Sequence, residues 1–90
     1  MQYEWDESKR AANLAKHGVD FIEAEGFEWQ KALESQDNRV DYGEDRWVAL
    51  GCIGNRIYTL IYTRRGDMIR LISLRRANKR EREYYEKTQA

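Results

Sequence analysis

Apolar residues near the start of the chain recur with the period of an α-helix. After a short extended segment at residues 2–5, one helical stripe is formed by Ala11, Leu14 and Ala15. Asp6 stands where an N-cap residue belongs, and Gly18 stands where a C′ glycine belongs. These signals predict a first α-helix between Asp6 and Gly18.

A second helical pattern follows directly. Asp20 occupies another N-cap position, and Phe21, Ala24 and Phe27 recur at the spacing of a buried helical face. Trp29 is expected to close this shorter helix. The N-terminal part of the chain therefore predicts two helices.

The apolar period then changes to the alternation that is typical of β-strands. Residues 32–35 form a weak strand pattern, and the polar stretch 36–44 contains turn residues at 37–39 and 42–43. Three stronger strand patterns follow at residues 46–52, 56–64 and 68–75. Two good hairpin connections join the strong strands: residues 54–55 and 65–67. This order predicts an antiparallel β-meander of about four strands.

Alternation assigns the side chains of the last two strands to opposite faces of this sheet. On the middle strand, Tyr58, Leu60 and Tyr62 share one face. On the last strand, strict alternation places Leu74 on the same face as Arg70. Arg75 then lies on the opposite face from these two residues. We expect one face to pack on helices. The other would carry partly buried aromatic and arginine side chains, which suits either nucleic acid or a partner protein.

The end of the chain predicts a last helix. Asn78 and Glu81 form a variant capping box, and Tyr84 and Tyr85 provide its apolar contact. Glu81 has two interpretations, since it caps the helix and also lies close enough in sequence to Arg75 to orient an arginine or move a proton. The predicted fold is a single α+β domain over residues 1–90.

The formal net charge of zero conceals a strong segregation along the chain. Residues 1–45 hold 5 Lys/Arg against 12 Asp/Glu, whereas residues 46–90 hold 11 against 4. Nine of those eleven cations are arginines, whose planar guanidinium binds phosphate through a fork of donors. The pattern favours a polyanionic ligand, although the two halves could equally neutralise one another within the fold.

Composition narrows the class of protein. The longest apolar runs are short and interrupted by charge, so neither a secretory signal nor a membrane span is expected, and the chain is predicted to be cytoplasmic. Cys52 is the single cysteine and His17 the single histidine. They predict neither a disulfide nor a metal site, and we expect no cofactor.

Three segments together resemble the BrnT family of type II toxin-antitoxin toxins. They are residues 3–6 with 13–19, residues 43–46, and residues 69–81, which read YEWD, NLAKHGV, GEDR and IRLISLRRANKRE. The resemblance implies a small RelE-like domain and an endoribonuclease that inhibits translation by cleaving RNA. It also implies a BrnA-like antitoxin with a ribbon-helix-helix DNA-binding region. Operator DNA is then contacted only through the antitoxin, in a hetero-oligomer, and no membrane is involved.

Cleavage of RNA without a metal requires a base for the ribose 2′-hydroxyl, stabilisation of charge on the phosphorus, and a proton for the leaving oxygen. We expect Arg64, Arg75 and Arg76 to converge where the last helix begins and to stabilise that charge. His17 is the candidate for acid-base work, although a helix-capping role competes with it. Glu81 completes the predicted catalytic set.

A second set of residues is predicted to bind RNA: Arg46, Arg70, Tyr62 and Lys79. Arg46 and Arg70 could instead pair with acidic residues of the first half, and Tyr62 could belong to the core. The family's usual Ser-Ala-Arg reads Ser73-Leu74-Arg75 here, which would place a larger side chain beside the site. The alternative function is a non-catalytic, degenerate toxin that binds only an antitoxin or nucleic acid.

Overall fold

The computed structural model describes residues 1–38 and 43–89. Its helices and strands, in chain order, are β1 (Gln2–Glu4), α1 (Glu7–His17), two 3₁₀ helices (Phe21–Gly26 and Trp29–Lys31), β2 (Leu33–Asp37), β3 (Arg46–Ile53), β4 (Arg56–Arg65), β5 (Met68–Arg76) and α2 (Lys79–Gln89). The α+β class is confirmed, whereas the counts and order of the helices and strands differ in part from the prediction. Among the described residues, no helix is long and apolar enough to cross a membrane.

The described strands form one sheet in the order β1-β5-β4-β3-β2. The predicted meander corresponds to β2 through β5, which pair antiparallel. The extended segment predicted at residues 2–5 is confirmed as β1, but the predicted meander of about four strands did not include it, and it adds a fifth strand parallel to β5. Three residues are too few for a readable alternation, and the partner of β1 lies far away in sequence.

The first helix begins and ends where the sequence predicts. The Asp6 side chain accepts a hydrogen bond from the Ser8 N–H, and Gly18 adopts the left-handed conformation with φ of 70°. The prediction of a second α-helix was wrong, because 3₁₀ turns replace it. Phe21, Ala24 and Phe27 repeat every three residues, which matches the three residues per turn of a 3₁₀ helix. Trp29 begins a second 3₁₀ turn instead of closing the first.

The 3₁₀ segments cover one face of the sheet and enclose the core there. The predicted grouping of Tyr58, Leu60 and Tyr62 is confirmed, and all three are buried on this covered face. The expectation that the aromatic residues of β4 lie on the more open face was therefore wrong. Their rings pack against the 3₁₀ segments, with Trp29 meeting Tyr62 edge-on at 5.4 Å between centroids. Burial of apolar area explains why the aromatic residues lie on the covered face, since their rings are the largest apolar groups on the strand.

A β-bulge breaks the alternation of β5. Ile61 pairs with Ser73, but Tyr62 pairs with Leu71, so Ile72 has no partner on β4. The extra residue turns Leu74 to the core face, where it is fully buried. Strict alternation was thus wrong beyond Leu71. Leu74 does not border the face of Arg75, and its size affects the core instead.

Asn13 joins α1 to the part of β5 that β1 leaves unpaired. Its side-chain amide donates to the carbonyls of Val19 at 3.0 Å and Leu74 at 2.7 Å, and its oxygen accepts from the Leu74 N–H at 3.1 Å. A buried side chain therefore takes the place of a neighbouring strand. Without it, both backbone groups of Leu74 would lack partners at the sheet edge.

The remaining predicted boundaries differ by a few residues. β2 extends to Asp37, which was predicted to be a turn residue, because residues 33–37 pair along β3. Predicted turn residues within 39–42 lie outside the described residues. At α2, the reciprocal Asn78–Glu81 bonds of the capping box are confirmed at 2.8 and 2.9 Å. Tyr85 is buried as expected, but Tyr84 is 59% exposed.

Replacing Gly51 with alanine is expected to destabilise the protein by about 1–3 kcal/mol, the usual cost of overpacking. A Cβ atom at Gly51 would lie 2.6 Å from the Phe27 ring, so the ring must move. Urea unfolding measures the change. Adding Phe27→Leu should recover part of the loss, and equal stability of Gly51→Ala and wild type would contradict the close contact.

Candidate functional site

An arginine-carboxylate pair joins the end of β5 to the start of α2. The Arg75 guanidinium donates to both oxygens of Glu81, at 2.7 and 3.0 Å. The Asn78 N–H also donates to Glu81, so the helix cap and the ion pair share one carboxylate. The Arg75 and Glu81 side chains are 29% and 21% exposed. The pair is therefore rigidly held and still reachable from solvent.

The surroundings keep Glu81 ionised. Partial burial alone would raise its pKa, but hydrogen bonds from Arg75 and from the Asn78 N–H outweigh that effect. The net pKa lies below the ordinary value for a glutamate. Glu81 is consequently suited to orienting Arg75 and poorly suited to donating a proton near neutral pH. Both interpretations of Glu81 from the sequence converge here, since the cap residue is also the partner of Arg75.

His17 lies within range of the charge of Arg75. It is the last residue of α1, and its pKa is lowered by partial burial and by the charges of Lys16 and Arg75. An imidazole with a pKa below its ordinary value is neutral at pH 7, and a neutral imidazole can accept a proton. Two of the predicted catalytic residues, Arg75 and Glu81, are therefore bonded directly, and the charge of Arg75 acts on a third, His17.

Arg46, Arg70 and Arg75 share the sheet face opposite the core, which we call the arginine face. Pairing fixes this placement, because Thr59 lies opposite Arg75 and Thr63 lies opposite Arg70. Arg46 stands opposite Asp37 on β2. Arg70 forms an ion pair with Glu4 at 3.6 Å, which reduces its local positive charge. The arginine face therefore combines a rigid arginine near α2 with further cations along the sheet.

Arg64 does not join this group, so the predicted convergence was wrong. It pairs with Ile69 at the start of β5, five residues along β4 from the partner of Arg75, about 17 Å away at strand spacing. Carboxyl ends of antiparallel strands lie at opposite ends of the sheet. The Arg64 guanidinium instead bonds Glu34 at 2.6 Å and lies 5.2 Å from the centroid of Trp47.

The sequence of this chain matches a family model described as the ribonuclease toxin BrnT of type II toxin-antitoxin systems. The match covers residues 5–81, from the turn before α1 through the first turn of α2. The chain belongs to the BrnT family. The resemblance stated from its three segments is confirmed. A comparison with curated proteins gave no match.

The side chains of the other predicted site residues of this BrnT chain have different surroundings from the Arg75 pair. Arg76 points to the face opposite Arg75, beside Arg56 and Arg82 on a separate pocket. Lys79 is 83% exposed and pairs with Glu83 at 3.9 Å. Tyr62 is fully buried, and its hydroxyl donates to Glu34, so its ring has no open face for a base.

Sequence reasoning missed Glu34, which binds both Tyr62 and Arg64 in the BrnT fold. A signal was present, since Glu34 lies in the predicted weak strand. Its two partners could not be predicted from alternation. They depend on the register of β2 against β3, which the sequence of the segment between these strands does not specify. Among the described residues, no group of three His, Cys, Asp or Glu could hold a metal ion.

Proposed function

We propose that this BrnT family member is a metal-independent endoribonuclease that inhibits translation by cleaving RNA. The observation that carries the proposal is the Arg75 guanidinium, which Glu81 holds on the arginine face and whose charge acts on His17. An arginine fixed in this way can stabilise charge that develops on a phosphate without first being reorganised. Membership of a ribonuclease toxin family supports the same assignment.

The reaction that fits these residues is an attack by the ribose 2′-hydroxyl on the adjacent phosphorus. Neutral His17 accepts the 2′-hydroxyl proton while a bond from the 2′-oxygen to phosphorus forms. Arg75 stabilises the additional negative charge on the phosphate oxygens. The bond from phosphorus to the 5′-oxygen then breaks, and water supplies the proton for that oxygen. The products are a 2′,3′-cyclic phosphate and a free 5′-hydroxyl.

Glu81 acts in this proposal as a positioning residue, because its lowered pKa keeps it ionised and its two oxygens fix the guanidinium of Arg75. Arg46, Arg70 and the exposed Lys79 are assigned to contacts with the RNA backbone, since phosphate contacts need only accessible charge. Arg64 and Arg76 are left out of the catalytic group, because Arg64 lies about 17 Å away at strand spacing and Arg76 points to the other face.

The proposal extends to regulation. We assign a BrnA-like antitoxin with a ribbon-helix-helix DNA-binding region as the partner, and operator DNA as a ligand of the complex through that antitoxin. The RelE-like fold and action in the cytoplasm belong to the same proposal. The type II toxin-antitoxin family supports an antitoxin partner in general terms. An antitoxin that covers the arginine face would block the site both sterically and by charge.

Analysis of the product ends tests the proposed chemistry. Purified protein is incubated with single-stranded RNA in the presence of EDTA, and the ends are identified by mass spectrometry. We expect 2′,3′-cyclic phosphate and 5′-hydroxyl ends. Cleavage that requires added Mg²⁺, or products with 3′-hydroxyl and 5′-phosphate ends, would overturn the assignment of His17 and Arg75. Intact RNA under all conditions would favour the non-catalytic alternative.

The pH dependence of cleavage tests the role of His17. Burial and the positive charges nearby lower its pKa, so we expect kcat/KM to rise with pH through an inflection below the ordinary histidine value and then level off. His17→Gln should remove this inflection and reduce the plateau by about 10²-fold, the usual contribution of a general base. The unfolding midpoint of the variant serves as the control. An unchanged profile in His17→Gln would show that another group takes the proton.

A further inference from the structure

A cavity of about 240 Å³ lies between α1 and β5, and Ser73 in its lining lies two residues before Arg75 on the same face of β5. Seven residues line it: Lys9, Ala12, Asn13, Lys16, His17, Ile72 and Ser73. His17 connects the cavity to the proposed catalytic group, because it lines the cavity and the charge of Arg75 helps to lower the pKa of its imidazole. The role of the other lining residues is not explained by the proposed cleavage chemistry.

The α1 wall of the cavity follows from helical spacing. Ala12 and Asn13 lie three and four residues after Lys9, and Lys16 follows them by four and three residues, so all four lie along one side of the helix. Asn13 holds this side against β5 through its bonds to Leu74. The small side chain of Ala12 leaves room between the two lysines.

The opposite wall is the β-bulge of β5. Ile72 has no partner on β4, and Ser73 follows it. Bulges redirect side chains and recur beside active sites, because the strand bends where one extra residue is inserted. Here the bulge brings both residues to the cavity. A regular β5 would place Ile72 and Ser73 on opposite faces.

The charges around the cavity are predominantly positive. Among the residues that the structure describes, neither Lys9 nor Lys16 forms an ion pair, and both are exposed. The acidic residue nearest to Lys9 along α1 is Glu7, which bonds Trp5 at 3.1 Å and Arg10 at 3.4 Å. Two lysines without carboxylate partners beside one concave surface suit an anion of the size of a phosphate.

We infer that this cavity binds a backbone phosphate of single-stranded RNA, next to the phosphate that is cleaved. The inference rests on the proposed function for its ligand. Lys9 and Lys16 supply charge to the phosphate oxygens, and the Ser73 hydroxyl can donate a hydrogen bond. Because His17 borders both places, an RNA strand that occupies the cavity presents its neighbouring ribose and phosphate to His17 and Arg75. The cavity would therefore set the register of the strand, independently of base sequence.

Binding of a non-cleavable strand tests this assignment directly. The probe is a fluorescein-labelled 2′-O-methyl oligonucleotide, and its affinity is measured by anisotropy for wild type and for Lys9→Ala/Lys16→Ala. The matched control is Lys31→Ala/Lys87→Ala, which removes two exposed lysines outside the cavity. Loss of one phosphate contact should weaken binding about tenfold at 50 mM salt and make the salt slope shallower by about 0.7. The control should bind like wild type.

Cleavage kinetics supply a second readout. For a long RNA, Lys9→Ala/Lys16→Ala should raise KM more than it lowers kcat, and the loss should be smaller for a dinucleotide with a single phosphodiester. Equal losses on both substrates, or wild-type affinity for the oligonucleotide, would overturn the inference. Inorganic phosphate distinguishes a site for free anions. The inference would also be overturned if inorganic phosphate bound to wild type as tightly as the oligonucleotide and the same double variant lost this phosphate binding.

Failure of this inference is distinguishable from failure of the proposed function. RNA cleavage that does not depend on Lys9 or Lys16 leaves the ribonuclease proposal intact and removes the phosphate subsite. Binding of the oligonucleotide that depends on both lysines, in a protein that never cleaves RNA, supports the subsite and removes the catalytic proposal. Thermal unfolding of both double variants shows whether the fold is retained.

Discussion

Arg75→Ala is expected to reduce the kcat/KM of RNA cleavage by about 10²–10³-fold, the usual loss when one fixed donor to a developing charge is removed. Arg75 is the arginine that Glu81 holds through two hydrogen bonds, so its guanidinium is already oriented. Arg75→Lys should recover only part of the loss, because an ammonium keeps the charge but not the planar fork. The measurement is cleavage of a labelled RNA by purified protein under single-turnover conditions.

The matched control for this experiment is Arg80→Ala. Arg80 is an exposed arginine on α2, directly before Glu81 in the chain, so the two variants lose the same charge near the same helix. Arg80→Ala should cleave within about twofold of wild type, as expected for a surface substitution. A folded Arg75→Ala protein that cleaves as fast as wild type would remove Arg75 from the mechanism. In cells, Arg75→Ala should relieve growth arrest while Arg80→Ala should not.

Asn13→Ala is expected to lower the free energy of unfolding by about 3 kcal/mol, a large fraction of the stability of a small domain. The substitution leaves the N–H and C=O of Leu74 and the C=O of Val19 without their buried partner. Each unsatisfied buried group costs about 1–3 kcal/mol. Urea unfolding followed by tryptophan fluorescence measures the loss. Because Asn13 also positions α1 against β5, affinity for RNA should fall with stability.

Gln30→Ala is the matched control for Asn13→Ala, since it removes an exposed amide from a 3₁₀ turn. Its stability should stay within about 0.5 kcal/mol of wild type. A cost below about 1 kcal/mol for Asn13→Ala would mean that water or a shifted strand satisfies the edge of β5. The proposed place of α1 beside the cavity would then need to be revised.

Features set by neighbouring residues were predictable from the sequence. The caps of α1 and α2 were found because Asp6, Gly18, Asn78 and Glu81 act on backbone groups only a few residues away. The three long strands were found because each contains enough alternating residues to be distinguished from a helix. The 3₁₀ helix at Phe21–Gly26 was missed since a three-residue repeat and a helical face look similar over one or two turns.

Features that depend on pairing were not predictable. Whether Arg64 lies near Arg75 depends on which ends of β4 and β5 meet, and the two arginines occupy opposite ends. The faces on which Leu74 and Arg75 lie depend on a bulge that no residue of β5 predicts. Tyr62 was predicted from the sequence to bind RNA, but its ring is buried against Trp29.

The sequence by itself determined the helix caps, the three long strands, the family and the excess of arginine in the second half. These properties are local or compositional, so they survive without knowledge of contacts. Only the tertiary structure decided which arginines share a surface. It placed Arg75 within range of His17 for their charges to interact, although 58 positions separate them in the chain, and it placed Arg64 and Arg76 elsewhere. Long-range register and one bulge control these distances, and both arise from how the whole sheet packs on its core.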